Sequence, residues 1–147
     1  MNSIIDLHTH STASDGAYSP TQLIEKAVDA GVETLALTDH DTVAGLQEAQ
    51  TAAKEKGLNL INGIELSTSW NYKTIHVVGL NIDANSQAML DAAKHLKQLR
   101  EDRAFKIGEK LAKAGINDAY ENAKRFAGNG TVTRQHFSQF LDRKSVV

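Results

Sequence analysis

Four short apolar runs, each with an imidazole or carboxylate at or near its end, constrain the fold of this chain more than any other feature. They occupy residues 4–8, 32–38, 58–65 and 73–82. Between the first two runs, Ser19 offers a helix cap and Pro20 a first helical position. Leu23, Ile24, Ala27 and Val28 then share one face before Gly31 stops the helix. A second helix is expected after the second run, opening at Asp41 or Thr42. Val43, Leu46, Ala49 and Ala53 lie at helical spacing, and Gly57 ends it. This β-α-β-α-β-β order predicts a largely parallel sheet with its helices packed outside. Side chains two apart on a strand point the same way, so His8 and His10 project together at the mouth of the sheet. Asp15 follows on a Ser-Asp-Gly turn, His40 closes the second run, Glu65 closes the third, and His76 lies within the fourth.

From residue 86 the strand signals cease. One long helical stretch to about residue 114 and two shorter ones, 118–127 and 133–141, predict a helical insertion beside the sheet. The expected division is therefore 1–85 for the metal-bearing sheet and 86–141 for the insertion. A formal net charge of −2 does not draw the chain towards polyanions, so any contact with nucleic acid must be local. The absence of cysteine excludes disulfides and thiolate metal sites and is compatible with a reducing cytoplasm. No apolar stretch has the length of a membrane span, and the first strand starts too early for a signal peptide. A cytoplasmic location, with no membrane partner, is the expectation. Four strands cannot close a barrel and leave bare apolar edges. Residues 142–147 follow Phe137, Phe140 and Leu141 poorly and read as a non-native tail on a truncated sequence. Such a chain is expected to bind metal weakly and to turn over little.

Imidazole nitrogen and carboxylate oxygen together suit Mn, Zn and Fe. A bridging carboxylate brings two such ions to roughly 3.5–4 Å, where they activate water and clamp the oxygens of a phosphoester. His8 and His10 are natural ligands of one ion, Glu65 the bridge, His76 a ligand of a second, and Asp15 with His40 a pair for a third. Asp39 and Asp41 flank His40 and are expected to orient imidazoles as acceptors. Taken singly, each has a plainer reading: a surface histidine, a turn aspartate, a helix cap. Their co-occurrence at successive strand ends favours metal.

A substrate side can be read as well. Met89, Ala93, Leu96, Ile107 and Leu111 form one helical stripe, and Arg100 and Arg103 fall on it. Arginine on a buried face meets an acid, faces an anion, or snorkels at the edge. Thr133 looks like an N-cap, placing Arg134 and His136 in a first turn whose free N–H groups and dipole attract phosphate. Trp70 and Tyr72 could stack a base, although packing within their polar loop is the simpler reading. Ser11 and Ser14 shape the turn, and His95 lies off the stripe as a surface residue.

The stretches His8-Thr9-His10, Ser14-Asp15-Gly16, Thr38-Asp39-His40-Asp41, Gly63-Ile64-Glu65 and Ile75-His76 resemble the PHP (polymerase and histidinol phosphatase) family of metallophosphoesterases. Within it the chain is most similar to the bacterial RNase AM (TrpH-like) group. That likeness rests on Glu65-Leu66-Ser67-Thr68, Val78-Gly79-Leu80-Asn81-Ile82-Asp83 and Val132-Thr133-Arg134 with His136-Phe137, and it covers residues 4–141. The resemblance implies an α/β fold, the N-terminal part of a distorted (β/α)₇ barrel followed by a helical insertion. It implies up to three divalent ions, commonly Mn²⁺, held by His8, His10, Asp15, His40, Glu65 and His76. It implies hydrolysis by metal-activated water of nucleotide or RNA 5′-end phosphoesters, as a 5′→3′ exoribonuclease or 3′,5′-nucleotide bisphosphate phosphatase. Arg100, Arg103, Arg134 and His136 become the expected substrate contacts. The family's later His and Asp-x-His ligands have no counterpart in these 147 residues. Two alternatives stand beside this reading. One is a small-molecule phosphatase of the histidinol-phosphate type, which would not need an arginine-bearing insertion. The other is an inactive metal-binding fragment. An amidohydrolase deaminase also begins His-x-His, but the Ser-Asp-Gly turn and Thr-Asp-His tract argue against it.

Overall fold

Strands and helices alternate through the first half of the chain, and helices alone make up the second. The structure, a computed structural model, describes residues 4–144. The elements are β1 (Ile4–Thr9), α1 (Pro20–Asp29), β2 (Val32–Leu37), α2 (Leu46–Lys56), β3 (Asn59–Trp70), β4 (Lys73–Leu80), α3 (Gln87–Lys113), α4 (Ala119–Ala127) and α5 (Arg134–Arg143). The sheet is curled, with order β1-β2-β3-β4. The first three strands are parallel, and β4 returns antiparallel to β3.

The N-terminus of α1 forms as its sequence predicts. Ser19 Oγ accepts from the Gln22 N–H at 3.2 Å, and the Gln22 side chain accepts from the Ser19 N–H at 3.0 Å. Ile24 and Ala27 from α1 meet Leu46, Ala49 and Ala53 from α2 over Leu35 and Leu37 of β2, forming one apolar core. The opposite ends of the sheet remain bare. Ile4, Ile5 and Leu7 on β1 and Ile75, Val77, Val78 and Leu80 on β4 are exposed, as expected of four open strands.

Three expectations need correction. Helix α2 opens at Leu46 with Gly45 as its N-cap, not at Asp41 or Thr42. Asp41 cannot cap it, because its backbone is left-handed (φ 54°) and its carboxylate is engaged by Ser67 and Arg100. Strand β3 does not stop at Glu65. It runs on to Trp70 in an antiparallel hairpin that pairs Ser67 with His76 and Trp70 with Lys73, so the expected polar loop shrinks to Asn71-Tyr72. On α3, Ala104 and Gly108 lie deepest and Met89, Ala93, Leu96, Ile107 and Leu111 are half-buried, but Arg103 is exposed rather than on the buried face.

The three C-terminal helices build a second core from Ala104, Ala119, Ala123, Ala127, Val132, Phe137 and Phe140. A Cβ at Gly108 would stand 2.6 Å from Tyr120 Cβ, so only glycine allows α3 and α4 to cross this closely. The loop before α5 then reaches the turn that follows β1, where Gly130 packs against the carbonyls of Thr12 and Ser14. Asp142 and Arg143 complete the last turn of α5, while residues 145–147 of the expected tail lie outside the described residues.

Candidate metal centre

Glu65 organises the site. It sits on β3 where the strand leaves its parallel partner, and it is bridged to His40 across the end of the sheet. Its Oε2 lies 2.9 Å from His8 Nε2, 2.9 Å from His10 Nε2 and 3.5 Å from His40 Nδ1. Its Oε1 lies 3.3 Å from His76 Nδ1. Four imidazoles from three segments, the end of β1, the turn after β2 and β4, thus converge on one buried carboxylate. Asp15 closes the far side, 2.9 Å from His10 Nδ1 and 3.7 Å from His40 Nε2. Three overlapping donor sets result: His8, His10 and Glu65; His40, Glu65 and His76; and His10, Asp15 and His40. All six residues expected to bind metal are brought together.

The electrostatics follow from this crowding. Burial works against a charged His10, but the hydrogen bond and charge of Asp15, with the charges of Glu65 and Asp39, outweigh it and raise its pKa. Burial likewise opposes the charge on Asp15 and on Glu65. The surrounding histidines overcome it, so both carboxyls are held below their ordinary range. His40 shifts the other way, lowered by burial and by Arg100 against the pull of Asp15. Its buried Nδ1 has no hydrogen-bond partner among the described residues.

These features fit a divalent metal. A neutral, buried imidazole nitrogen without a donor or acceptor is unstable unless something binds it. The donor set is N/O throughout, with one carboxylate placed to serve more than one ion. His8 and His76 are substantially exposed while Glu65 is buried, so the centre is anchored below and open above.

Asp39 and Asp41 were expected to orient imidazoles, and neither does. The Asp39 carboxylate accepts from Ser11 N–H (2.7 Å), Ser11 Oγ (2.6 Å) and Ser14 Oγ (2.6 Å). It braces the turn between His10 and Asp15, and burial raises its pKa in spite of those three bonds. Asp41 accepts from Ser67 N–H at 2.6 Å and from Arg100 Nε. Those bonds and the Arg100 charge overcome the effect of burial and hold its pKa down. Through these bonds both residues hold the backbone beside the candidate ligands rather than the rings themselves.

Arg100 meets an acid and faces the cavity at once. Besides Asp41, its Nη2 donates to Ser67 Oγ at 2.7 Å. A cavity of about 410 Å³ opens beside the metal centre, between Asp15, His40 and His76 on one side and Arg100, Arg103 and Arg134 on the other. Phe137, Ile107 and Val132 contribute an apolar wall. Sequence reasoning missed Ser67 and Thr74. The signal was available in β-alternation, since Ser67 lies two residues after Glu65 and Thr74 two before His76.

His136 is not brought to this cavity. It is buried, and its Nδ1 accepts from the Thr133 N–H at 3.0 Å, closing the cap of α5. It faces a separate cavity with Ser14, Gly16 and Asn129. Burial lowers its pKa against the pull of Asp15. The unfolded chain therefore takes up a proton before the folded one, so this contribution to stability is present above pH about 6.5 and is lost as pH falls below it. His136→Gln keeps a capping side chain without a titrating ring. Its urea midpoint is expected to fall less between pH 7.5 and 5.5 than that of the unsubstituted chain, a comparison that removes the other histidines. His95 is exposed, as expected, and so are Trp70 and Tyr72, which do not pack into a loop.

A half-barrel with buried carboxylate and imidazole donors at its open end defines a divalent-metal-binding α/β protein. The chain belongs to the PHP domain family, whose pattern it matches over residues 6–121. It is 52% identical over 141 residues to a 5′-3′ exoribonuclease of Haemophilus influenzae, covering 96% of this chain and 51% of that protein. It is 42% identical over 138 residues to a 3′,5′-nucleoside bisphosphate phosphatase of Chromobacterium violaceum, covering 93% of this chain and 48% of that one. A solved structure from Chromobacterium violaceum, described as an amidohydrolase with bound sulfate and no metal, superposes with a TM-score of 0.92 at 40% identity. It covers 97% of this chain and 51% of its own. The chain spans about half the length of the curated relatives it matches.

Proposed function

We propose that this chain carries the metal-binding face of a phosphoesterase that hydrolyses nucleotide or RNA phosphoesters. The activity would be of the 5′→3′ exoribonuclease or 3′,5′-nucleotide bisphosphate phosphatase type, working in the cytoplasm on a nucleotide or RNA 5′ end. One observation carries the reading: Glu65 lies within 3.5 Å of four imidazoles beside a cavity walled by three arginines. The names of the relatives supply the substrate class.

His8, His10, Asp15, His40, Glu65 and His76 would hold the ions, Mn²⁺ above others. When bound, such ions supply Lewis acidity that activates water near neutral pH and draws charge from phosphoryl oxygens. The residues of the chain do the rest. Arg100, fixed by Asp41 and Ser67, presents a guanidinium to the cavity, and Arg103 and Arg134 add positive charge where a phosphate would lie. The wall of Phe137, Ile107 and Val132 suits the flat face of a base and limits water in the cavity.

The test is hydrolysis with Mn²⁺ of adenosine 3′,5′-bisphosphate against histidinol phosphate. Turnover by this chain is expected to be slow, but what there is should favour the bisphosphate and be abolished by His10→Ala. Preference for histidinol phosphate would replace this reading with the small-molecule one. Metal binding without hydrolysis of either compound would leave a metal-binding chain that is not itself a phosphoesterase. No helix among the described residues is long and apolar enough to cross a membrane.

A further inference from the structure

Glu65 and His76 are fixed by the ladder between β3 and β4, where Glu65 pairs with Val78 and His76 with Ser67. Asp15 has no such support, because it lies in the turn that follows β1. A carboxylate carried on a turn has many directions open to it. Aiming it at His10 and His40 requires restraint from elsewhere in the fold.

Three buried polar residues each stand one position along the chain from a member of the His10, Asp15 and His40 donor set. Ser11 follows His10, Ser14 precedes Asp15, and Asp39 precedes His40. The three donor side chains are 19%, 20% and 14% exposed, whereas Ser11, Ser14 and Asp39 are no more than 2% exposed. The buried three bond to one another and not to the rings. Asp39 Oδ1 accepts from both the Ser11 N–H (2.7 Å) and Ser14 Oγ (2.6 Å), and Oδ2 accepts from Ser11 Oγ (2.6 Å). One oxygen atom therefore ties both ends of the turn to the residue beside His40. Ser14 Oγ also lies 3.4 Å from Asp15 Oδ1, but its single proton goes to the much shorter contact with Asp39. The packing leaves this arrangement little slack. A Cβ at Gly16 would stand 2.2 Å from the His10 carbonyl oxygen, so the turn doubles back onto its own start. A Cβ at Gly45 would stand 3.0 Å from Asp39 Oδ2 and 3.1 Å from Ser11 Oγ.

We propose that Ser11, Ser14 and Asp39 form a positioning clasp that sets the metal affinity of the His10, Asp15 and His40 donor set, separately from the sets centred on Glu65. The proposal rests on the metal reading above and adds the residues that give one of its sites its shape. Buried hydroxyls and a buried carboxylate make a directional scaffold. Each loses its partner if the turn shifts, and at such burial solvent does not replace the bond.

Equilibrium dialysis with Mn²⁺ tests this on the full chain, with Asp15→Asn identifying the binding step that depends on Asp15. Ser14→Ala removes one donor from the clasp and no candidate ligand. It is expected to weaken that step roughly 10- to 100-fold, the usual cost of losing support one step behind a ligand. The steps that survive Asp15→Asn should be unaffected by it. Asp39→Asn deprives Ser11 Oγ of its acceptor and should act on the same step. Circular dichroism is expected to show both variants folded at the assay temperature. A clasp serving only the fold would instead lower the melting temperature and leave every binding step unchanged.

Binding steps unchanged in both variants overturn the proposal, and so does an equal loss at every step. It is overturned as well if both variants unfold, or if Asp15→Asn removes no step. In each of these cases Mn²⁺ bound by the unsubstituted chain leaves the metal reading itself standing. An unsubstituted chain that binds no Mn²⁺ sinks that reading and the clasp together.

Discussion

Glu65→Gln is expected to lower divalent-metal affinity by more than about 100-fold and to remove metal-dependent hydrolysis with it. Loss of a partner one step removed from a metal already costs 10–100-fold, and Glu65 touches every set but one. Its two oxygens serve different neighbours, Oε2 facing His8, His10 and His40 and Oε1 facing His76. An amide keeps the shape but loses the negative charge and one acceptor, so it can neither bridge two cations nor stabilise their charge. The fold should survive, because neither core draws on the Glu65 side chain. Equilibrium dialysis with elemental analysis reads the metal, and circular dichroism confirms the fold. Metal affinity within a few-fold of the unsubstituted chain would mean that Glu65 is not the bridge.

Arg100→Met is expected to have the largest effect on stability. Asp41 is 1% exposed, and its carboxylate is held by the Ser67 N–H, the Ser67 side chain and Arg100. Removing the guanidinium leaves a buried carboxylate with Ser67 but without its counter-charge, which costs about 3–5 kcal/mol. In a domain of this size that is a fall of about 10 °C in melting temperature. The sign is checked by a second substitution. Asp41→Asn combined with Arg100→Met should be less destabilised than Arg100→Met alone, because the orphaned charge has gone. The pH dependence agrees. The lowered pKa of Asp41 makes its ion pair stabilising above the ordinary carboxylate range and lost as pH falls through it, and Arg100→Met should flatten that acid limb. A loss below about 0.5 kcal/mol, as for a solvated surface pair, would show that Arg100 does not brace the insertion against the sheet.

These two residues also show what could be read from the sequence. The six candidate metal donors follow from strand alternation and from the positions where apolar runs end, which are local properties of the chain. Helices α1, α3, α4 and α5 follow from caps and periodicity, and their bounds fall within two residues of expectation. The partners of Asp39, Asp41 and His136 could not be read that way. Asp41 meets Arg100 across 59 positions and Asp39 meets Ser11 across 28, and nothing local tells a carboxylate which distant donor it will find. Asp41 also misled the reading of α2. Aspartate before an apolar helical pattern is a good cap signal, but a tertiary demand on its side chain took the backbone left-handed and delayed the helix to Leu46. The extension of β3 was missed for a different reason. Ser67 and Thr68 look like loop residues, whereas in the hairpin Ser67 supplies a polar side chain to the site and Thr68 Oγ1 donates to the Ile75 carbonyl. The expectation for Arg100 was closer, since a guanidinium on a buried stripe was expected either to meet an acid or to face an anion, and the fold lets it do the first at the edge of the cavity.

The central claim is that one carboxylate gathers four imidazoles in order to hold divalent ions. Anomalous scattering from crystals grown with Mn²⁺, recorded at the manganese edge, tests it most directly. Peaks beside both oxygens of Glu65, within ligand distance of His8, His10, His40 and His76, are the predicted result. Manganese found only elsewhere on the molecule, or a Glu65 carboxylate still hydrogen-bonded to histidine alone at saturating Mn²⁺, would contradict it.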